Sequence, residues 1–91
     1  MITNLLCSAI CTAYIATGNP CANGKYPTIH HTIAIPRSYP LGSTVIIDGI
    51  SYIGEDRTAR KYNGRFDIFV NSKREAINYG KQTHNVTVIT K

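Results

Sequence analysis

Acidic residues are scarce in this chain. Asp and Glu number five among 91 residues, against ten Lys and Arg, which leaves a formal net charge of +5. That balance admits an anionic partner: nucleic acid, an anionic cell wall or an acidic membrane surface. Charged residues make up only 16 % of the chain against 43 % hydrophobic, which excludes a disordered tail and indicates a folded globule. No apolar run approaches the roughly 18 residues of a membrane-crossing helix, so no membrane span is expected. The start, Met1 to Ile10, is mildly apolar but has no charged n-region. It is not read as a signal peptide, so delivery to an extracellular target would use another route, such as lysis or particle assembly. The three cysteines, Cys7, Cys11 and Cys21, are an odd set, so at least one stays unpaired within the chain. No second Cys or His pair sits at finger spacing, and the adjacent His30 and His31 would point to opposite faces of a strand. No metal site is expected, and the cysteines read as small buried thiols. Internal repeats and low-complexity segments are also missing. The length fits a single domain, residues 1–91.

What is present is β-forming. Val, Ile, Thr and Tyr are frequent, and seven Gly and four Pro supply tight turns. Residues 7–16 read as a first strand. Gly18-Asn19-Pro20 and Asn23-Gly24-Lys25-Tyr26-Pro27 are turn chemistry. Thr28 to Pro36 reads as a second strand, ended by the proline. Val45-Ile46-Ile47 and Ile50-Ser51-Tyr52-Ile53 flank Asp48-Gly49, a hairpin signal in which Asp48 serves as a turn residue. Phe66 to Val70 alternates as a further strand. Ser72-Lys73-Arg74-Glu75 has the form of a capping box, followed by a short helix with Ala76 and Tyr79 on one face and Gly80 at its end. Val86 to Ile89 is the last strand. The fold class is therefore mainly β: a small six-stranded closed barrel with one short helix near the C-terminus.

The most informative stretch runs from Gly54 to Phe69. It holds Asp56 at the end of one strand-like run and Asp67 in the next, eleven residues apart. Paired carboxylates are what glycosidic cleavage needs: one donates a proton while the other stabilises charge at the sugar carbon. A purely structural account is also available, with Asp56 in an ion pair and Asp67 capping a loop. Arg57, Arg60, Lys61 and Arg65 lie between the two aspartates, and a solvated loop explains this cluster as well as a binding patch does.

Six pieces, in order, resemble the three-aspartate (3D) domain, a double-psi β-barrel found in lytic transglycosylase A, stationary-phase muralytic proteins and phage-encoded wall enzymes. They are Thr12-Ala13-Tyr14; Cys21-Ala22-Asn23-Gly24; Ile33-Ala34-Ile35-Pro36 with Tyr39-Pro40-Leu41-Gly42-Ser43; Glu55-Asp56-Arg57; Phe66-Asp67-Ile68-Phe69; and Ala76 with Tyr79-Gly80. The resemblance spans nearly the whole chain. It departs at Ile35, which stands where the family usually has its first aspartate. The resemblance implies a double-psi barrel that acts on peptidoglycan glycan strands, cleaving the MurNAc–GlcNAc bond to a 1,6-anhydro product, with no cofactor. Asp56 is then the general acid/base, and Asp67 stabilises the developing oxocarbenium or holds Asp56. Tyr14, Arg57, Arg60, Lys61 and Arg65 are the candidate substrate contacts. Tyr14 would stack on a sugar, and Arg60, Lys61 and Arg65 would hold stem carboxylates or wall phosphates. Arg57 would lower the pKa of Asp56 unless strand alternation turns it to the opposite face. His84 and the Asn85-Val86-Thr87 acceptor motif read as ordinary surface features. The alternative function is a non-catalytic glycan-binding module of the expansin type, which the missing first aspartate favours. A nucleic-acid partner is not expected, because only Tyr62 interleaves the basic residues.

Overall fold

The structure, a computed structural model, describes residues 3–90; Met1, Ile2 and Lys91 lie outside the described residues. The elements are β1 (Thr3–Tyr14), β2 (Thr32–Ile35), β3 (Thr44–Ile47), β4 (Ile50–Arg57), a 3-10 turn (Arg60–Tyr62), β5 (Phe66–Phe69), α1 (Lys73–Tyr79) and β6 (Gln82–Thr90). The six strands close into a barrel in the order β1-β5-β2-β4-β3-β6. The chain is mainly β, with one short helix near its C-terminal end, as the patterning indicates. No helix among the described residues is long and apolar enough to cross a membrane.

Two of the six contacts are parallel, β1 with β5 and β2 with β4; the other four are antiparallel. Exchanging β1 with β4, β2 with β5 and β3 with β6 leaves every neighbour and every direction unchanged. The two halves thus interlock about an internal two-fold relation, the double-psi arrangement. The long strands β1 and β4 each pair with different partners along their two halves, which lets six short strands close a barrel.

Several elements follow directly from local chemistry. Asp48 and Gly49 both take positive φ, 51° and 76°, which a two-residue type I′ hairpin requires. The Ser72 hydroxyl accepts a hydrogen bond from the Glu75 amide at 3.2 Å, and Ala76 and Tyr79 are the half-buried residues of α1. Gly80 ends the helix at a φ of 64°, where a Cβ would be strained.

Several strand boundaries differ from the sequence reading; β4 runs on to Arg57, past Ile53, and β6 spans Gln82–Thr90, not Val86–Ile89. β1 begins at Thr3, not residue 7, and ends at Tyr14, because β6 pairs with it residue by residue from Cys11 back to Thr3. β2 begins at Thr32, not Thr28. Residues 28–31 form a turn in which the Thr32 amide donates to the Thr28 carbonyl and the Thr28 amide to the Thr32 hydroxyl. His30 takes a left-handed φ of 62° in that turn, so the two histidines are not on a strand.

The core is built from Cys11, Ile33, Ile35, Val45, Ile47, Tyr52, Phe66, Ile68, Val86 and Val88. Ile33 and Ile35 are completely buried, each contributing about 1.5–3 kcal/mol by leaving water. All three cysteines are free, Cys11 and Cys21 buried and Cys7 half-buried. Burial, then the charges of Asp48 and Cys7, push the Cys11 thiol up to about 11, so it behaves as an inert apolar filler.

Ile35 packs so closely over Gly54 that a Cβ there would lie 2.6 Å from its Cδ1. Gly54→Ala should therefore destabilise the barrel by about 1–3 kcal/mol in denaturant unfolding. Adding Ile35→Val, which deletes that Cδ1, should recover part of the loss. A Gly54→Ala variant as stable as the parent would contradict this packing.

Candidate functional site

Asp56 and Asp67 reach one cleft by way of strand register. On β5, Asp67 pairs with Thr12 of β1 on one side and Ala34 of β2 on the other. On β4, Asp56 pairs with Ala34 from the opposite side. The row Thr12–Asp67–Ala34–Asp56 therefore crosses four adjacent strands. It sets the two aspartate Cα atoms two strand spacings apart, roughly 10 Å. Ala34 lies between them, and its single methyl leaves the space above the row open. That space is a cleft of about 130 Å³, lined among others by Tyr14, Pro20, Ala34, Asp56, Thr58 and Asp67.

A register shift between Ile33 and Ala34 makes this row possible. Gly54 pairs with Ile33 and Asp56 with Ala34, so Glu55 is an extra residue on β4. Such a bulge re-aims the side chains on either side of it. Glu55 is buried and accepts a 2.6 Å hydrogen bond from the Thr32 hydroxyl. It also accepts from the Asn23 side chain at 3.2 Å and lies 3.6 Å from His31 Nε2. Its backbone carbonyl accepts from the Asn23 amide. Glu55 thus ties the 21–31 loop to the barrel, while Asp56 faces the cleft.

The two cleft carboxylates differ in environment. Asp56 accepts from the amides of Ala22 at 3.0 Å and Arg57 at 2.9 Å, and from the Tyr14 hydroxyl at 3.4 Å. Asp67 accepts from the Thr12 hydroxyl at 2.9 Å. Burial raises the Asp67 carboxyl above its usual range. The Thr12 hydrogen bond opposes this, the Asp56 charge adds to it and Arg65 partly offsets it. Burial, followed by the Asp56 charge, also raises the Tyr14 phenol well above its ordinary value, so Tyr14 remains a neutral donor. Its ring meets Phe69 edge-on at 5.4 Å. Burial raises the Cys21 thiol, and Asp56 adds to that. In the cleft wall Thr58 carries a buried hydroxyl with no partner among the described residues.

The remaining sequence candidates divide. Arg57 lines the cleft, but its Nη1 donates to the carbonyls of Pro36 at 2.8 Å and Tyr39 at 2.6 Å. Its guanidinium is therefore committed to the loop after β2. Arg60 and Lys61 sit exposed on the 3-10 turn that begins just past the cleft-lining Ala59. Lys61 and Arg65 both stack on the Tyr62 ring, at 5.0 and 4.7 Å. Asp48 is far from this row: it occupies the hairpin turn and pairs with His84 Nδ1 at 3.4 Å. Ile35 lies in the core, and among the described residues no third carboxylate lines the cleft. The sequence reading gave no role to Glu55, Ala34, Thr12 or the Ala22 amide. The only forward signal for them was their position inside the quoted motifs.

Comparisons with family models, curated proteins and solved structures return no match.

If Glu55 anchors the loop that presents the Ala22 amide, Glu55→Ala should cost about 2–3 kcal/mol of stability. It should also speed hydrogen exchange at the Ala22 amide beyond the change at core amides. Unchanged Ala22 protection would show that Asp56 is held without the loop anchor.

Proposed function

We propose that this chain acts on peptidoglycan and cleaves the MurNAc–GlcNAc glycosidic bond as a lytic transglycosylase of the three-aspartate type. The observation that carries this reading is the cleft in which two carboxylates, in unlike surroundings, flank a single alanine. Asp67 takes the role of general acid, since burial favours its protonated form. The sequence reading gave that role to Asp56, and the unlike surroundings favour the reverse. Asp67 gives its proton to the bridging oxygen as the C1–O bond breaks. Asp56, oriented by two amides and Tyr14, faces the positive charge that develops at C1. The Asp67 carboxylate then accepts the proton of the muramyl C6 hydroxyl as that oxygen bonds to C1, which closes the 1,6-anhydro ring. Tyr14 forms one wall for the sugar. Arg60, Lys61 and Arg65 lie beyond the lip, where stem carboxylates or wall phosphates would extend. The site of action would be the bacterial cell wall.

A second reading, a glycan-binding module that does not cleave, is favoured by one observation. Ile35, which stands where the family's first aspartate is expected, is completely buried, so the cleft has two carboxylates instead of three.

Digestion of purified sacculi separates these readings. Release of 1,6-anhydro muropeptides by the parent chain, lost in Asp67→Asn and in Asp56→Asn at nearly unchanged melting temperature, is the expected result. Asparagine keeps an oxygen for Thr12 or for the two amides, so the fold should survive either change. Binding to sacculi without soluble product would replace the enzyme by the module.

The raised Asp67 carboxyl also sets a pH signature. The working form is protonated, so turnover should fall as pH rises through the raised value. Stability follows the same sign. A group whose folded pKa exceeds its unfolded pKa contributes stability that is full below the unfolded value and lost as pH rises through the folded one. Asp67→Asn should flatten that loss between acidic and neutral pH in thermal melts. A variant whose stability varies with pH as in the parent would remove Asp67 from the role of acid.

A further inference from the structure

In the closed barrel, the N-terminal part of β1, far from the cleft, is strand-paired on one edge only. β6 pairs with β1 from Thr3 to Cys11, but β5 pairs only with Cys11 to Tyr14. From Asn4 to Ile10, no strand among the described residues lies along the other edge of β1. Alternate residues of that stretch direct N–H and C=O groups to this side, which no strand pairs, although α1 packs on β1 and the Tyr39 hydroxyl lies 3.9 Å from Cys7 Sγ.

Side chains mark the same gap. Tyr52, Val45, Val88 and Leu5 form one row across β4, β3, β6 and β1. The first three are buried, whereas Leu5, facing the same way, is 43 % exposed because the sheet stops there. In the next row Leu6 is 73 % exposed. Natural edge strands are usually blunted by Lys, Pro or an inward charge. The sequence Asn4-Leu5-Leu6-Cys7-Ser8-Ala9-Ile10 has none of these.

We infer that this edge pairs antiparallel with the same edge of a second copy of the chain. The sequence is self-complementary about Leu6. A two-fold axis there sets Leu6 against Leu6 of the second copy, Leu5 against Cys7, and Asn4 against Ser8, so apolar meets apolar and polar meets polar. This is the isologous contact that closed dimers use. It continues the β4-β3-β6-β1 sheet across the axis and covers Leu5. The +5 charge does not oppose it, because the basic group Arg57–Arg65 gathers at the cleft end of the barrel. Leu6 is six residues from Thr12 of the cleft row, roughly 20 Å along the strand, well beyond the screening length of about 8 Å. A single strand edge buries less than the roughly 1,200 Å² of a standard interface, so the dimer is a weak one that forms as concentration rises.

Sedimentation equilibrium with reductant present, from about 10 µM to about 1 mM, should show a shift from monomer to dimer. Hydrogen exchange in Asn4–Ile10 should slow over the same range. Leu6→Lys and, separately, Ser8→Lys should keep the chain monomeric throughout at unchanged melting temperature, since both side chains are exposed. Either variant leaves the cleft intact, so the result is independent of whether sacculi are cleaved. A parent chain that stays monomeric to the highest concentration overturns the inference, even if an unrelated uncharged peptide binds the edge. So does a dimer that survives both lysines.

Discussion

The four residues Thr32–Ile35 pair with β4 along their length, Ile33 and Ala34 also pair with β5 on the other side, and all four are buried. Ile33 and Ile35 spend their side chains on the core, so only Ala34 is available to the outer row. Its neighbours in that row are the two aspartates. A β2 with a larger residue at position 34 would fill the space between them, and a β2 shifted by one residue would turn Ala34 inward. The core and the cleft thus depend on the same short strand. Gly54 completes the constraint, since only a residue without Cβ lets β4 approach Ile35 where the register shift begins.

The scarcity of carboxylates gives each one a traceable use. Asp48 occupies the hairpin turn and meets His84. Glu75 follows the Ser72 cap in the first turn of α1. Glu55 is buried against Thr32 and Asn23. That leaves Asp56 and Asp67 for the cleft. The chain's basic surplus would neutralise such a pair if it were free to approach. Arg57, the nearest cation in sequence, is instead bound to two carbonyls of the loop after β2. Lys61 and Arg65 lie over the Tyr62 ring. The cleft therefore keeps an acidic interior behind a basic lip, with Arg65 close enough for its charge to act on Asp67. On the proposed reading, that arrangement would protonate a sugar oxygen inside and draw anionic wall polymer to the entrance.

Local chemistry made much of this legible in the sequence. The Asp48-Gly49 hairpin, the Ser72 cap with Gly80, and the alternation of Phe66 to Phe69 are each decided within a few residues. The pairing of Asp56 with Asp67 was visible because acidic residues are so few. What stayed hidden depends on partners distant in the chain. The start of β1 is set by the far end of β6, and nothing in Asn4-Leu5-Leu6 alternates clearly enough to announce a strand. The start of β2 is set by Thr32, whose hydroxyl and amide close a turn over residues that have strand-like propensity. The bulge at Glu55 was hidden because three consecutive polar and charged residues, Glu55-Asp56-Arg57, do not show which of them faces inward. Without the bulge, simple alternation would put Glu55 and Arg57 on one face and Asp56 on the other. It could not foretell that Arg57 closes a loop.

The two-fold relation inside the barrel bears on how the proposed site would hold an acid and a charge stabiliser. The β2–β5 ladder maps onto itself under that relation, and β1 and β4 flank it on either side. Under it Asp67 corresponds to Ala34 and Asp56 to Thr12, so the two carboxylates occupy unlike positions of the frame and meet different neighbours. On the β1 side, Asp67 sits against the Thr12 hydroxyl and near the Tyr14 ring, with a single hydrogen bond to offset its burial. On the β4 side, Asp56 receives two backbone amides, one of them supplied by the loop that Glu55 holds. Two carboxylates in one cleft are useful for glycosidic cleavage only if one keeps its proton when the other does not. The 21–31 loop, whose Ala22 amide reaches Asp56 and not Asp67, adds to the difference between them. On this account the loop is a working part of the site, and the carboxylate it does not touch is the one suited to give up a proton.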